Sequence, residues 1–141
     1  MPQPLWTPSS QRMATSNLRR FLAQVNEEHG TSFTDYHGLY QWSVENIPRF
    51  WAALWRFVPI IHSRPGVEVV DDPTKMPGAK WFSGARLNFA ENLLRFRDSQ
   101  IALICRGEDG RRRTLTYQEL YAAVATVARG LREAGVAPGD R

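Results

Sequence analysis

The sequence has 141 residues, near the commonest domain size, and its 43% apolar and 11% aromatic content lies far from disordered compositions, so one folded domain with a real core is expected. Eighteen basic against 14 acidic residues give a mild +4, nearly all of the base being arginine, which is no footprint for a nucleic-acid groove. A single cysteine excludes an internal disulfide, and the longest apolar stretch, Phe50 to Trp55, falls far short of the roughly 20 residues a membrane span needs.

The start, Pro2 to Pro8, has neither a basic nor an apolar segment of the kind that directs secretion, so a cytoplasmic protein is the default expectation. Ser9 or Ser10 can cap a helix running to about Glu28, because Leu18, Phe21, Leu22 and Val25 repeat at helical spacing and Gly30 can end it. That narrow stripe predicts a surface helix laid on a larger body. A second helix is predicted from Asp35 as cap to about Val44, with Leu39 and Trp42 on one face. Pro48 then restarts the chain as a third helix, in which Phe50, Trp51, Leu54, Trp55 and Val58 form a wide aromatic face that Pro59 closes. These aromatics are read as packing residues rather than as a ligand-stacking platform.

Residues 63 to 84 carry three prolines and three glycines and read as loop, with a short strand at Val67 to Val70. Asp71 and Asp72 are adjacent, so a strand would send them to opposite faces and a loop would simply solvate them; neither suits a paired acid and base. Leu87 to Arg95 reads as a short helix with Asn88 as cap and Glu91 completing a capping box. From Ile101 the pattern turns to strand: Ile101 to Cys105, a Glu108-Asp109-Gly110 turn, then Arg113 to Thr116, a β-hairpin with Cys105 as a small buried hydrophobe. The Arg111 to Arg113 cluster, beside those acids, is a solvated hairpin tip. Thr116 and Glu119 form a capping box for a helix whose buried stripe is Leu120, Val124, Val127, Ala128 and Leu131, ending at Gly135. Three scattered histidines, His29, His37 and His62, offer no metal-ligand spacing. The fold class is therefore α+β, a helical first part followed by a hairpin and a helix. One hairpin with one helix cannot complete a sheet, so the chain is expected to be the N-terminal part of a larger α/β domain that breaks off after Arg141.

The run Lys80-Trp81-Phe82-Ser83-Gly84-Ala85-Arg86-Leu87-Asn88-Phe89-Ala90-Glu91-Asn92-Leu93-Leu94 resembles the Trp-Phe, Gly, Leu-Asn, Asn-Leu signature near the start of acetyl-CoA-synthetase-like enzymes of the adenylate-forming superfamily. Upstream, Tyr40 to Glu45 and Phe50-Trp51 are similar to the same N-terminal region; downstream, Leu115 to Leu120, Ala128, Leu131, Gly135-Val136 and Gly139 to Arg141 resemble the opening of the AMP-binding domain. The arm Pro4 to Ser9, Asn17-Leu18 and Asp35-Tyr36-His37 is similar to the acetoacetate-activating branch rather than to acetate enzymes.

The resemblance implies a division into residues 1–96, a mostly helical extension wrapping the main domain, and 97–141, the opening of the adenylation domain. It implies a ligase using ATP, Mg²⁺ and CoA, whose acid is first adenylated and then passed to the CoA thiol. Acetoacetate is the implied acid, with acetyl- or propionyl-CoA synthetase relatives as the alternative. No Gly-Lys-Ser loop and no Gly-x-Gly-x-x-Gly occurs in the chain, so no catalytic, cofactor-binding or metal residue is expected in it. Its expected partners are small-molecule substrates of the whole enzyme and the remainder of its own adenylation domain, with neither nucleic acid nor membrane. Within the signature, Arg86 is expected to pair with an acid of the main domain rather than reach a phosphate. Asn88 and Asn92 serve as a cap and a helix-to-loop bond, and Trp81 and Phe82 as packing. The competing readings are a stand-alone interaction module using the Trp-rich face and, more weakly, a basic nucleic-acid binder at Arg111 to Arg113.

Overall fold

The computed structural model describes residues 5–140, so Pro4 of the N-terminal arm and Arg141 lie outside the described residues. The chain divides into two compact units, residues 1–87 and 88–141.

In the first unit the predicted opening helix is two helices. α1 (Ser10–Ala14) is capped by Ser9, and α2 (Asn17–His29) starts afresh because Ser16 takes an extended backbone, φ −68° and ψ 150°, and its hydroxyl accepts from the Arg19 N–H. A local hydroxyl-to-backbone bond thus outcompetes helix continuation at Ser16. Gly30 ends α2 in the left-handed region, φ 65°, where a residue without Cβ carries no steric penalty. α3 (Tyr36–Glu45) is capped by Asp35, whose carboxylate accepts from the Gly38 N–H at 3.0 Å, and α4 (Ile47–Phe57) carries Pro48 in its first turn.

The core of this unit joins Phe21, Leu22 and Val25 of α2, Leu39 and Trp42 of α3, and Ala53 of α4. Leu18, expected in the stripe, is largely exposed, because the break at Ser16 places it at the free start of α2. The aromatic face of α4 is divided between its two sides. Phe50, Leu54 and Phe57 pack on the core with Ala53, and the Phe21 ring sits 5.8 Å from Phe50 and 5.1 Å from Phe57. Trp51 and Trp55 turn the other way, towards a small sheet. That sheet is β1 (Glu68–Val70) paired antiparallel with β2 (Trp81–Ser83), in register Glu68 to Ser83 and Val70 to Trp81. The sequence pointed to β1 but left its partner in a loop, since three residues after a Pro- and Gly-rich stretch carry no alternation of their own.

The second unit opens with α5 (Phe89–Leu93), shorter than predicted, capped by Asn88 accepting from the Glu91 N–H at 3.1 Å. β3 (Ile101–Arg106) and β4 (Arg112–Thr116) make the predicted hairpin. Its register shifts between Ile101 and Leu103, where two steps on β3 face one on β4, so a bulge bends the strand. At the tip Gly110 has φ 78° and the Asp109 carboxylate bonds both the backbone N–H and the side chain of Arg111. α6 (Tyr117–Glu133) has the full capping box: Thr116 Oγ1 accepts from Glu119 N–H at 3.2 Å, and Thr116 N–H donates back to the Glu119 carboxylate at 2.8 Å. No described helix is long and apolar enough to cross a membrane.

Candidate functional site

The signature segment is where the sequence is most specific, and in the first unit it forms a seam against α4. The Trp81 ring meets the edge of Trp51 at 5.6 Å, and Phe82 lies over Trp55 at 4.4 Å and 31°. His62 closes the Trp55 side at 5.7 Å. Phe82 takes φ 45°, a left-handed conformation that costs a non-glycine residue of order 1–3 kcal/mol and persists only when its surroundings hold it. Gly66 is part of that hold: a Cβ there would lie 3.0 Å from the Phe82 Cα and carbonyl carbon, so only glycine lets the two backbones approach. The expectation that Trp81 is packed holds only in part, since it keeps 44% of its surface exposed and rests on a Trp51 that is itself 40% exposed.

Asp71 and Asp72 are not simply solvated. Asp71 Oδ1 accepts from the backbone N–H groups of Asp72 at 2.7 Å and Lys80 at 2.9 Å, and its other oxygen meets Lys75 Nζ at 3.5 Å. The Lys80 N–H bond, first among these, holds the Asp71 carboxyl below its ordinary range. Asp72 Oδ1 accepts from the backbone N–H and hydroxyl of Thr74 at 2.9 and 2.6 Å. The pair therefore ties the loop 71–80 into the turn that delivers Trp81 to α4.

Past β2, Gly84 turns at φ 78° and Arg86 pairs with Arg64: Arg86 N–H donates to Arg64 O at 2.9 Å and Arg64 N–H to Arg86 O at 3.3 Å. Ser63 adds its N–H and hydroxyl to the same Arg86 carbonyl. Among the described residues no carboxylate forms an ion pair with Arg86. Asn92 Nδ2 donates to the Asn88 carbonyl at 2.9 Å, so both asparagines of the signature stabilise the start of α5.

Sequence reasoning missed Asn26, whose Oδ1 accepts from Thr31 Oγ1 and Phe33 N–H while its Nδ2 donates to Phe33 O. An asparagine three residues before a helix-ending histidine and glycine was the available signal. It also missed the Glu28 to Arg56 pair, 2.6 Å, which joins α2 to α4.

In the second unit the predicted buried stripe of α6 is covered only in part, with Leu120 and Ala128 half-buried and Val124, Val127 and Leu131 exposed. No residue of α6 is buried; Val127 is 62% and Leu131 50% exposed. The hairpin is similar: Ile101, Leu103 and Ile104 are all exposed, and Cys105, expected inside, is exposed as well. The stripe has the spacing of a buried face, and within this unit the hairpin covers too little of it. Arg97 stacks over the Tyr121 ring at 3.9 Å and Phe96 meets Tyr117 at 6.0 Å, which ties the approach to β3 onto the first turns of α6. Among the described residues no group of three His, Cys, Asp or Glu side chains is arranged to hold a metal.

Comparison with known proteins fits this picture. Residues 36–93 match the family described as acetyl-coenzyme A synthetase N-terminus. The chain is 40% identical over 139 residues to acetoacetyl-coenzyme A synthetase of Rhizobium meliloti (strain 1021), covering 99% of this chain and 21% of that one. It is 38% identical to a malonamoyl-CoA synthetase of Penicillium aethiopicum, covering 97% of this chain and 20% of that one. The solved acetoacetyl-CoA synthetase from Streptomyces lividans superposes with a TM-score of 0.82 at 42% identity, over 99% of this chain and 22% of that structure. The chain thus spans about a fifth of the length of the relatives it matches. With sequence and fold agreeing along its whole length, the chain matches the N-terminal region of acetoacetyl-CoA synthetases, and its residues 36–93 match the acetyl-coenzyme A synthetase N-terminal family.

Proposed function

We propose that this chain serves as the N-terminal region of an ATP-dependent acyl-CoA ligase that converts acetoacetate, ATP and CoA to acetoacetyl-CoA, AMP and pyrophosphate through an acyl-adenylate. The observation that carries the reading is the unbroken similarity, about 40% identical across 99% of the chain, to a ligase of that name. In this reading residues 1–96 wrap the main domain and 97–141 open the adenylation domain. The ATP, Mg²⁺ and CoA chemistry belongs to other parts of the enzyme, and this region contributes no catalytic group. Its residues build the enzyme: Asp71 sets the loop, Trp81 and Phe82 fasten β2 to α4, and Asn88 starts α5.

The acid is constrained to a class. A malonamoyl-CoA synthetase matches this region almost as well as the acetoacetyl enzymes do, and both acyl groups carry a carbonyl at the third carbon. A short 3-oxo or 3-carbonyl acid is therefore the substrate class this region accompanies. In the ligase that carries this region, pyrophosphate exchange into ATP is expected with acetoacetate or malonamate and far less with acetate or propionate. Acetate as the preferred acid would refute the assignment to this branch. The 141-residue chain by itself is expected to release no pyrophosphate from ATP with acetoacetate, and release by the purified chain would overturn the non-catalytic role.

A further inference from the structure

The bridge between Arg64 and Arg86 has a feature that the ligase reading does not use. The two residues exchange both backbone hydrogen bonds, so they stand directly opposite each other with side chains on the same face. Like charges in that position repel and weaken a pairing. Both arginines are exposed, and among the described residues neither has a carboxylate within ion-pair reach. The local structure also fixes one of them. Arg64 Nε donates to the Gly84 carbonyl at 2.7 Å, and Gly84 takes φ 78° to present it. This bond fixes Arg64 Nε and leaves the terminal nitrogens of its guanidinium for another acceptor. Ser63 and the main chain satisfy the Arg86 carbonyl, so the Arg86 side chain has no part in holding the bridge.

We propose that Arg64 and Arg86 form a binding site for a phosphate dianion. Two planar guanidinium forks match oxygens spread around a single centre, and a phosphate carries close to two negative charges at neutral pH, whereas one carboxylate would leave one arginine uncompensated. The site stands apart from the ligase reading and is tested by binding without catalysis.

Inorganic phosphate is titrated calorimetrically into the chain at constant ionic strength. Saturable binding is expected, weakened about tenfold or more by Arg86→Gln and by Arg64→Gln, the scale of losing one charge-assisted fork. Because Arg86 holds the bridge through its main chain, Arg86→Gln should keep the wild-type far-ultraviolet spectrum, and Arg86→Lys, which keeps the charge and loses the fork, should bind with intermediate strength. Arg49→Gln, an exposed arginine of α4, should leave binding unchanged. Adenosine 3′-phosphate in place of inorganic phosphate identifies the source: tighter binding of the ester assigns the site to a nucleotide phosphate, and equal or weaker binding to the free anion. Lack of saturable binding, equal loss in Arg49→Gln, or competition by acetate as strong as that of phosphate would each overturn the site.

Discussion

Replacing Phe21 with alanine should destabilise the first unit far more than replacing Trp81, although tryptophan is the larger side chain and lies in the more specific motif. Phe21 is 6% exposed and sits between Phe50 and Phe57, with ring centroids 5.8 and 5.1 Å away, so its removal leaves a void in a core of six buried residues among those described. Buried Phe→Ala changes cost about 3–5 kcal/mol, from lost transfer energy plus the cavity. Trp81 is 44% exposed and touches Trp51 by an edge contact, so its truncation opens a surface notch that water and neighbouring side chains fill. With about half of its apolar area counted and no cavity to add, Trp81→Ala should cost about 1–2 kcal/mol. The assay is urea denaturation followed by helical circular dichroism, which reports α2 to α4. Since small domains hold only about 5–15 kcal/mol in total, Phe21→Ala should bring the unit to the edge of unfolding in water while Trp81→Ala shifts only the midpoint. To keep the larger effect measurable, Phe21→Leu is expected to retain part of the loss, with coupling to Phe57→Leu of about 0.5–1.5 kcal/mol in a double-mutant cycle. Equal destabilisation by the two alanine changes, or a larger loss at Trp81, would refute the placement of the core between α2, α3 and α4.

The remaining predictions concern the joints of each unit. The Arg56 guanidinium, hydrogen-bonded to Glu28, holds that carboxyl below its ordinary range. A lowered carboxylate stabilises the fold above its unfolded pKa and loses that contribution as pH falls through the folded value. Arg56→Gln should therefore flatten the loss of stability below about pH 4.5, and because the pair is partly exposed it should cost less than about 1 kcal/mol at neutral pH. Thr116→Ala removes the cap of α6 and should cost about 1 kcal/mol, with faster hydrogen exchange confined to the first turn of that helix. The exposed face of the second unit should bind a hydrophobic dye, and Val127→Glu together with Leu131→Lys should abolish much of that signal without lowering helicity; unchanged dye binding would mean that the face is not the apolar surface.

Much of the local structure was legible because it depends on neighbours in the chain. The Asp35 cap, the restart at Pro48, the hairpin from Ile101, the Thr116 to Glu119 box and the Gly30 and Gly135 ends all follow from side chains acting within a few residues. The specific run from Lys80 to Leu94 likewise carries the family resemblance in its residues alone. What the sequence could not decide was which side of an element is covered, since covering is done by residues distant in the chain. Helical spacing marked the faces of α4 and α6 equally well, yet α4 divides its aromatics between a helical core and a two-stranded sheet, while α6 leaves Val124, Val127 and Leu131 of its stripe open to solvent. The same limit explains Cys105, apolar in its strand yet exposed, and β2, whose three residues become a strand only because β1 and α4 meet them there. It also explains the Arg64 to Arg86 bridge: two arginines far apart in sequence stand opposite each other only after the chain has turned at Gly84, and their juxtaposition is a product of tertiary structure alone.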